Sequence, residues 1–502
     1  MLHSRHLLVC IALLFPSLLL AQDTSTSSAQ VRPNILYIFT DDQSIRTISC
    51  YTEAQPWIQT PNIDALAEKG LRFRYSYTGA KCVPSRGNAL TGMLQYHYDR
   101  ETPYWPSQFR SQGYYTGMIG KWHWNVPRYK KAWDWSAVWE HHLPENGKNY
   151  YWDQALRING EELMPLDQYS TDAYTDLTID FLKERAADPD QPWYFWLCYG
   201  AVHGPYTPAD RHIGKLEEAP EMVYPKDLWP PRPDKPEHMI QLSTNTPHPK
   251  NGKPMKGDSS LDAVVKMYHE AVMAIDEGVG RIMKALEETG QLENTLVVFT
   301  SDQGYAWGQH GFNLKIAPYD ANLLAPLIVH WPGKVPFNTR STVPVNGVDL
   351  IRTFHRLAEI EPATKLDGRD LTELFFHPES RHWDDKPMLQ TYTGNIYGEK
   401  QLTEELEKAH KTGDWTKFNT HKTGIKAWLM VRQGKYKYIR YLYKDYLDEL
   451  HDLEADPEEL HNLAVRPEYH QTKIEMRALL TEELKKNGAN FHPLLPEPIQ
   501  PY

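Results

Sequence analysis

The chain is predicted to be an α/β protein, with a large, mostly parallel sheet sandwiched by helices and a smaller α+β domain at the C-terminus. Three observations predict it. Short apolar runs of strand length alternate with amphipathic helical stretches, the pattern of a parallel sheet covered on both faces. Several of those runs end in polar or charged residues, as strands do where they reach a ligand-binding edge. After about Asp385 the texture changes to a hairpin pattern followed by a terminal helix.

Each element has its own signal. Residues 34–39 (NILYIF) form an apolar run bounded by Pro33 and Asp41-Asp42, read as a buried strand. Residues 57–70 hold a short helix, with Thr60 at the N-cap, Pro61 in the first turn, Ile63, Leu66 and Ala67 on one face, and Gly70 as the stop. Residues 114–119 read as a strand, 169–187 as a helix with Leu177, Phe181 and Leu182 inward, and 193–199 (WYFWLCY) as a strongly apolar strand. Residues 261–286 place Val265, Tyr268, Val272, Ile275, Val279, Ile282 and Leu286 at spacings of three and four, an amphipathic helix. Strands are expected at 296–300 and 327–330, a hairpin over 428–443 turning at Gln433-Gly434, and a helix over about 468–486. Residues 205–254 are rich in Pro, Lys and Asp, lack periodicity, and read as a long surface insertion near the active-site edge.

Composition narrows the function. The 502 residues carry 54 Lys+Arg against 65 Asp+Glu, a net charge of -11, which argues against a non-specific nucleic-acid binder. A mean hydropathy of -0.61 excludes a polytopic membrane protein. Residues 1–21 read as an export signal: His3, Arg5 and His6, then an apolar run from Leu7 to Leu20, then Ala21 at the cleavage site. The expected organisation is a signal peptide over 1–21, a catalytic domain over 22–384 and a C-terminal α+β subdomain over 385–502, with no integral membrane segment once the signal is removed. The expected location is periplasmic or secreted. Four cysteines exclude a disulfide scaffold; Cys10 leaves with the signal, and the mature chain keeps the odd set Cys50, Cys82 and Cys198. No disulfide is expected between Cys50 and Cys198.

The chemistry gathers at strand ends. Asp41-Asp42 end the first strand, Ser301-Asp302-Gln303-Gly304 follow the 296–300 run, and His203 follows the 193–199 run. Three carboxylates and an amide oxygen are hard ligands suited to Ca²⁺ or Mg²⁺. The bland alternative is that Asp41 and Asp42 cap the next segment. Cys82 opens the segment Cys82-Val83-Pro84-Ser85-Arg86, where a helix start would place it at a positive end with Arg86 one turn on; the bland alternative is a buried, inert thiol.

The Cys-x-Pro-Ser-Arg segment with Leu90-Thr91-Gly92 resembles the maturation and active-site motif of the formylglycine-dependent (type I) sulfatases of the alkaline phosphatase superfamily. Gly113-Tyr114-Tyr115-Thr116 with Gly120-Lys121-Trp122-His123 resembles the second family motif. Asp41, Asp42, Asp302, Lys315 with Tyr319, residues 326–329, Pro332-Gly333, Asp367-Gly368 and the tail from Leu450 to Leu463 extend the resemblance. It covers about residues 32–465. Four positions depart from it: Gln303 where Asn or His is common, Gln309 before His310, Asn125 after the His123 motif, and Ala325 before Pro326.

The resemblance implies an alkaline phosphatase-like fold and a sulfuric ester hydrolase. It implies that Cys82 is oxidised to formylglycine by a sulfatase-maturing enzyme and that Asp41, Asp42, Asp302 and Gln303 bind one Ca²⁺ per chain in preference to Mg²⁺. It further implies that Arg86 and Lys121 hold the formylglycine or the sulfate. His123 would assist elimination, His203 and Lys315 would face the leaving oxygen with His203 as general acid, and His310 would contact substrate. Export and richness in aromatic rings (16 Trp and 30 Tyr) point to a sulfated polysaccharide or oligosaccharide such as ulvan, carrageenan or fucoidan, with Trp122, Trp124, Trp133, Trp135 and Trp139 as rings for stacking on sugars or for core packing. Two other functions remain open: a phosphonate or phosphate ester hydrolase of the same superfamily, and a non-catalytic glycan-binding protein whose Cys82 is never matured.

Overall fold

A computed structural model describes residues 32–124 and 129–499, so the export-signal stretch, Cys10 and Asn125 lie outside the described residues. The strand Asn34–Thr40 shows why the chain folds in layers. Its side chains alternate: Leu36 and Ile38 join one apolar layer with Phe181, Leu182, Val272 and Ile275, and Ile35, Tyr37 and Phe39 join another with Leu90, Phe109, Ile351 and Phe354. A strand apolar at every position must be covered on both faces. Each fully buried large side chain contributes about 1.5–3 kcal/mol.

Among the described residues the main sheet has ten strands. Its centre is parallel, in the order Thr295–Ser301, Asn34–Thr40, Trp193–Cys198, Tyr115–Lys121 and Trp135–Trp139. Its edges are mixed. Leu327–His330 runs antiparallel to Thr295–Ser301 and to Leu71–Phe73, and Leu71–Phe73 pairs in parallel with Thr339–Ser341. On the other side Ala155–Ile158 runs antiparallel to Trp135–Trp139 and to Glu162–Pro165. The mostly parallel sheet is thus present, and the strand expected at 327–330 joins it antiparallel.

One helical layer contains Pro61–Glu68, Ser170–Arg185 and Leu261–Glu288; the other contains Cys82–Thr91, Pro106–Ser111 and Gly347–Leu357. The apolar spacing expected for the long helix is the stripe it buries. At the helix Pro61–Glu68, Thr60 occupies the N-cap position without capping. Its hydroxyl accepts from Ser49 N at 3.0 Å and donates to Asp64. Asp276, from the long helix, instead accepts from Asn62 N at 3.0 Å and Ile63 N at 2.8 Å. A carboxylate at the positive helix end is the stronger acceptor, and it ties two helices together.

The C-terminal sheet is antiparallel, in the order Met388–Tyr392, Trp428–Gln433, Tyr436–Tyr441, Glu449–Asp452. One face carries Leu429, Val431, Tyr438 and Leu450 against Met476, Leu480 and Leu484 of the helix His470–Asn487. The other face, with Trp428, Met430, Ile439 and Tyr441, continues the core of the larger part. The insertion at 205–254 is anchored more firmly than a surface loop, because Leu228, Arg232, Lys235 and Met239 are buried. No helix among the described residues is long and apolar enough to cross a membrane.

Candidate active site

Two neighbouring strands deliver the acidic groups. The register pairs Thr40 with Ser301, so Asp41-Asp42 and Asp302-Gln303 leave the sheet side by side. Asp42 N donates to Asp302 Oδ1 at 2.9 Å, and Asp302 N to Thr40 O at 3.0 Å. Two strands further, Lys121 ends its own strand and His123 follows. Gly120 (φ 99°) precedes Lys121, where a Cβ would stand 2.0 Å from Cys198 O; only glycine lets these strands close at the site. Asp42 and His123 themselves have φ of 57° and 48°, left-handed conformations costly for such residues and held here by the surrounding structure.

Cys82 is the first residue of the helix Cys82–Thr91, which is buried along nearly its whole length. Its Sγ lies 3.3 Å from Asp41 Oδ1, 3.9 Å from Asp42 Oδ1, 2.8 Å from Lys315 Nζ and 3.8 Å from Gln303 Nε2. Arg86, one turn on, bonds Asp41 Oδ2 at 3.1 Å, stands 3.6 Å from Asp302 Oδ2, and donates to Lys121 O at 2.7 Å. Lys121 Nζ donates to Asp41 Oδ2, and Lys315 Nζ reaches Asp42 Oδ1 at 2.5 Å. The structure therefore brings together Cys82, Arg86, Lys121, Lys315, Asp41, Asp42, Asp302 and Gln303.

His203 joins them. Its Nε2 is 3.8 Å from Asp42 Oδ2, its Nδ1 meets Gly204 O at 2.9 Å, and its ring stacks on Tyr150 at 4.1 Å. The same Tyr150 ring lies 4.8 Å from Lys121 Nζ, so one unpredicted aromatic packs on two site residues, His203 and Lys121. His123 packs edge-on against His141 at 4.2 Å, and its buried Nδ1 has no hydrogen-bond partner among the described residues. His310 is not drawn into this cluster. It is 1% exposed, its ring packs on Tyr319, and its Nδ1 faces Asp227 Oδ2 at 2.7 Å.

The electrostatics follow from burial and crowding. Burial, with Asp302 and Asp41 nearby, pushes the Cys82 thiol far above its ordinary range, so it stays protonated at neutral pH. Burial and the neighbouring Asp41 push Asp302 up to about 7. Asp41 is held well below the usual carboxylate range: burial opposes ionisation, but Lys121 and Arg86 win. Burial, Lys315 and Lys121 lower His203 to about 4, so the free protein holds it neutral, whereas Lys315 is raised and stays charged.

The donor set fits a hard cation. Ligand atoms of Asp41, Asp42, Asp302 and Cys82 lie within 4.8 Å of one another, and Asp302 Oδ2 is buried without a hydrogen-bond partner among the described residues. Gln303 donates Nε2 to Asp42 Oδ1 and turns Oε1 toward Ser85 Oγ at 3.4 Å; a half-turn of the amide exchanges the two.

The aromatic content serves packing more than display. Trp122, Trp124, Trp133 and Trp139 are buried, and Trp133 stacks on Tyr194 and Trp196 within the core. Trp135 stacks on Phe195. Sequence reasoning also missed His141, and Lys256, whose ammonium sits on the rings of Tyr206 and Trp307.

The chain is similar to known proteins across this whole region. An N-acetylglucosamine-6-O-sulfatase of Bacteroides thetaiotaomicron is 27% identical over 91% of this chain and 87% of its own length. An ulvan-active sulfatase of Formosa agariphila is 24% identical over 92% of this chain and 82% of its own. A solved structure of a protein in complex with its substrate D-glucosamine-2-N,6-O-disulfate superposes with a TM-score of 0.77 at 24% identity, covering 91% of this chain and 99% of that one. Residues 33–360, well over half of the chain, match the Sulfatase family profile, and the chain belongs to that family of sulfuric ester hydrolases.

Proposed function

We propose that this sulfatase is exported and removes sulfate from a sulfated saccharide, with Cys82 matured to formylglycine and one Ca²⁺ held by Asp41, Asp42, Asp302 and Gln303. The observation that carries the proposal is the position of Cys82. Its Sγ is the meeting point of the carboxylates and Lys315 and the one soft atom in an otherwise oxygen-donor set. As a thiol it is held protonated and makes a poor nucleophile. An oxygen in its place makes the set uniformly hard. Hydrated formylglycine would supply two geminal hydroxyls, one to take up the sulfuryl group and one to expel it as sulfate, and a cation held by these residues would supply positive charge for the sulfate and the attacking hydroxyl.

The chain's own residues do the rest. Asp41, Asp42 and Asp302 are balanced by Arg86, Lys121 and Lys315, so the cation leaves the pocket positive inside an acidic protein. Arg86 and Lys121 are immobilised by Asp41 and await no rearrangement before stabilising negative charge. Lys315, the charged donor nearest Cys82 Sγ, supports the departing oxygen. His203 was expected from the family resemblance to be the general acid. Its Nδ1–H is pinned on Gly204 O, which leaves Nε2 as an acceptor in the free protein. It acts as an acid only after an incoming anion raises its proton affinity. His123, kept neutral by burial, is placed beside Lys121 to take a proton during elimination.

A sulfated saccharide is the named substrate shared by the three similar proteins described above. Sulfate release across defined sulfated oligosaccharides and 4-nitrophenyl sulfate, with Cys82→Ala as the blank, tests the proposal. Release from sulfated sugars supports it; turnover of the aryl ester alone contradicts the saccharide assignment.

A further inference from the structure

We propose that Lys256 is a specificity residue that binds a second anionic group, a sulfate or a carboxylate, on the same substrate whose scissile sulfate enters the Cys82 site; this rests on the sulfatase reading above.

Lys256 lies two residues past the 205–254 insertion, which shows no sequence periodicity. The insertion runs into a three-stranded antiparallel sheet in which Lys256 pairs with Ser259 just before the long helix. That hairpin places the ammonium over two rings, 4.6 Å from the Tyr206 centroid and 4.5 Å from that of Trp307. Its hydrogen bond is to Tyr206 Oη at 3.2 Å. Tyr206 Oη in turn donates to Tyr305 Oη at 2.9 Å, so its lone pair is free to accept from Lys256. Tyr206 and Trp307 are nearly fully buried, so they form a seat for the cation and offer no open face for a sugar. Tyr206 lies three residues beyond His203, which ties the seat to the loop that carries a site residue.

No carboxylate of the described residues forms an ion pair with Lys256, although the protein has a surplus of acids. Its seat borders the site: the Tyr206 ring packs edge-on against Tyr268 at 5.7 Å, and the Tyr268 hydroxyl donates to Asp42 O at 2.6 Å. Asp42 itself is engaged by Lys315 and Gln303. A half-buried ammonium, fixed by aromatic rings and left without a counter-charge beside an anion-processing pocket, is suited to an anion that arrives with the substrate.

Steady-state kinetics of the wild type, Lys256→Gln and Lys256→Arg test this on three probes: 4-nitrophenyl sulfate, D-glucosamine-2-N,6-O-disulfate, and a monosulfated disaccharide carrying a uronic acid. In Lys256→Gln, KM is expected to rise tenfold or more for a doubly charged probe with kcat within threefold. KM for 4-nitrophenyl sulfate is expected to stay unchanged, and Lys256→Arg to recover most of the loss. The affected probe tells whether the second group is sulfate or carboxylate. Equal losses on all probes, no loss on any, or a wild type that turns over 4-nitrophenyl sulfate and refuses both doubly charged probes would overturn the assignment. Thermal unfolding of both variants separates a misfolded protein from a lost contact. A matured wild type inactive on every probe would instead overturn the sulfatase mechanism proposed for the site.

Discussion

Two buried charge clusters in this molecule have the same formal composition and opposite character. At the strand ends, Asp41, Asp42 and Asp302 face Arg86, Lys121 and Lys315. Under the C-terminal sheet, Asp320, Glu449 and Glu459 face Lys235, Arg432 and Lys437. In the second cluster every carboxylate has a cation within 3.1 Å, Glu459 through Lys437 at 2.6 Å. Glu449 accepts from Tyr319 and Tyr441 and pairs with Lys235 at 3.1 Å, and Asp320 accepts from Tyr77 and from Lys437, each at 2.8 Å. Burial alone would raise Glu449, but Lys235 and its hydrogen bonds hold it well below the usual range. In the first cluster, acids crowd one another, Asp302 is pushed up to about 7, and its Oδ2 has Arg86 at 3.6 Å but no hydrogen-bond partner among the described residues. Close pairing makes a structural joint between the insertion, the short helix Asp320–Leu323 and the C-terminal sheet. Looser pairing marks the site proposed to take a cation and an anion.

The sharpest separation of the two comes from Cys82→Ala. It is expected to abolish sulfate release by roughly a thousandfold or more, as loss of a covalent nucleophile does, with melting temperature nearly unchanged. Lys437→Met should do the reverse. It leaves Asp320 and Glu459 with an uncompensated buried charge and is expected to destabilise by about 3–5 kcal/mol in urea unfolding, with turnover per folded molecule retained. Loss of activity without loss of stability in Lys437→Met would break the comparison.

Much of this was legible in the sequence, for a physical reason. The central strands are apolar on both faces, so they stand out as runs, and the site residues follow them because a parallel sheet delivers its strand ends to one edge. The edge strands Leu71–Phe73, Ala155–Ile158 and Thr339–Ser341 were missed because three or four residues carry no readable pattern. Lys256 was missed because its seat is built from Tyr206 and Trp307, distant in sequence and brought together only by the fold. The Trp-rich stretch misled in part: ring content cannot distinguish a stacking face from a core layer, and here four of those rings are buried.

Cation binding gives a smaller effect. Ca²⁺ at a hundredfold excess over its Kd is expected to stabilise the wild type by about 2.7 kcal/mol. Thermal unfolding with and without Ca²⁺ measures this, and Asp302→Asn should lose most of the gain while Glu449→Gln keeps it. Equal gains in both variants would place the cation elsewhere.

The most gradual effects, spread over several pH units, lie in pH. His203 falls from 6.5 to about 4 on folding, so its contribution to stability is present above pH 6.5 and is lost as pH falls toward 4. Glu449 is depressed, so its contribution is present above its ordinary value of 4.5 and is lost as pH falls through its lower folded value. Urea unfolding at stepped pH should show His203→Gln flattening the upper window and Glu449→Gln the lower one, each by up to about 1.4 kcal/mol per pH unit. Both variants flattening the same window would contradict the assignment of the two clusters.

The central claim is that Cys82 works as formylglycine and not as a thiol. Protein produced with graded amounts of a maturing enzyme, assayed for sulfate release and for the mass of the Cys82 peptide in the same samples, tests it directly. The account predicts specific activity proportional to the converted fraction, with zero at zero conversion. Full activity in protein whose Cys82 is entirely thiol would contradict it.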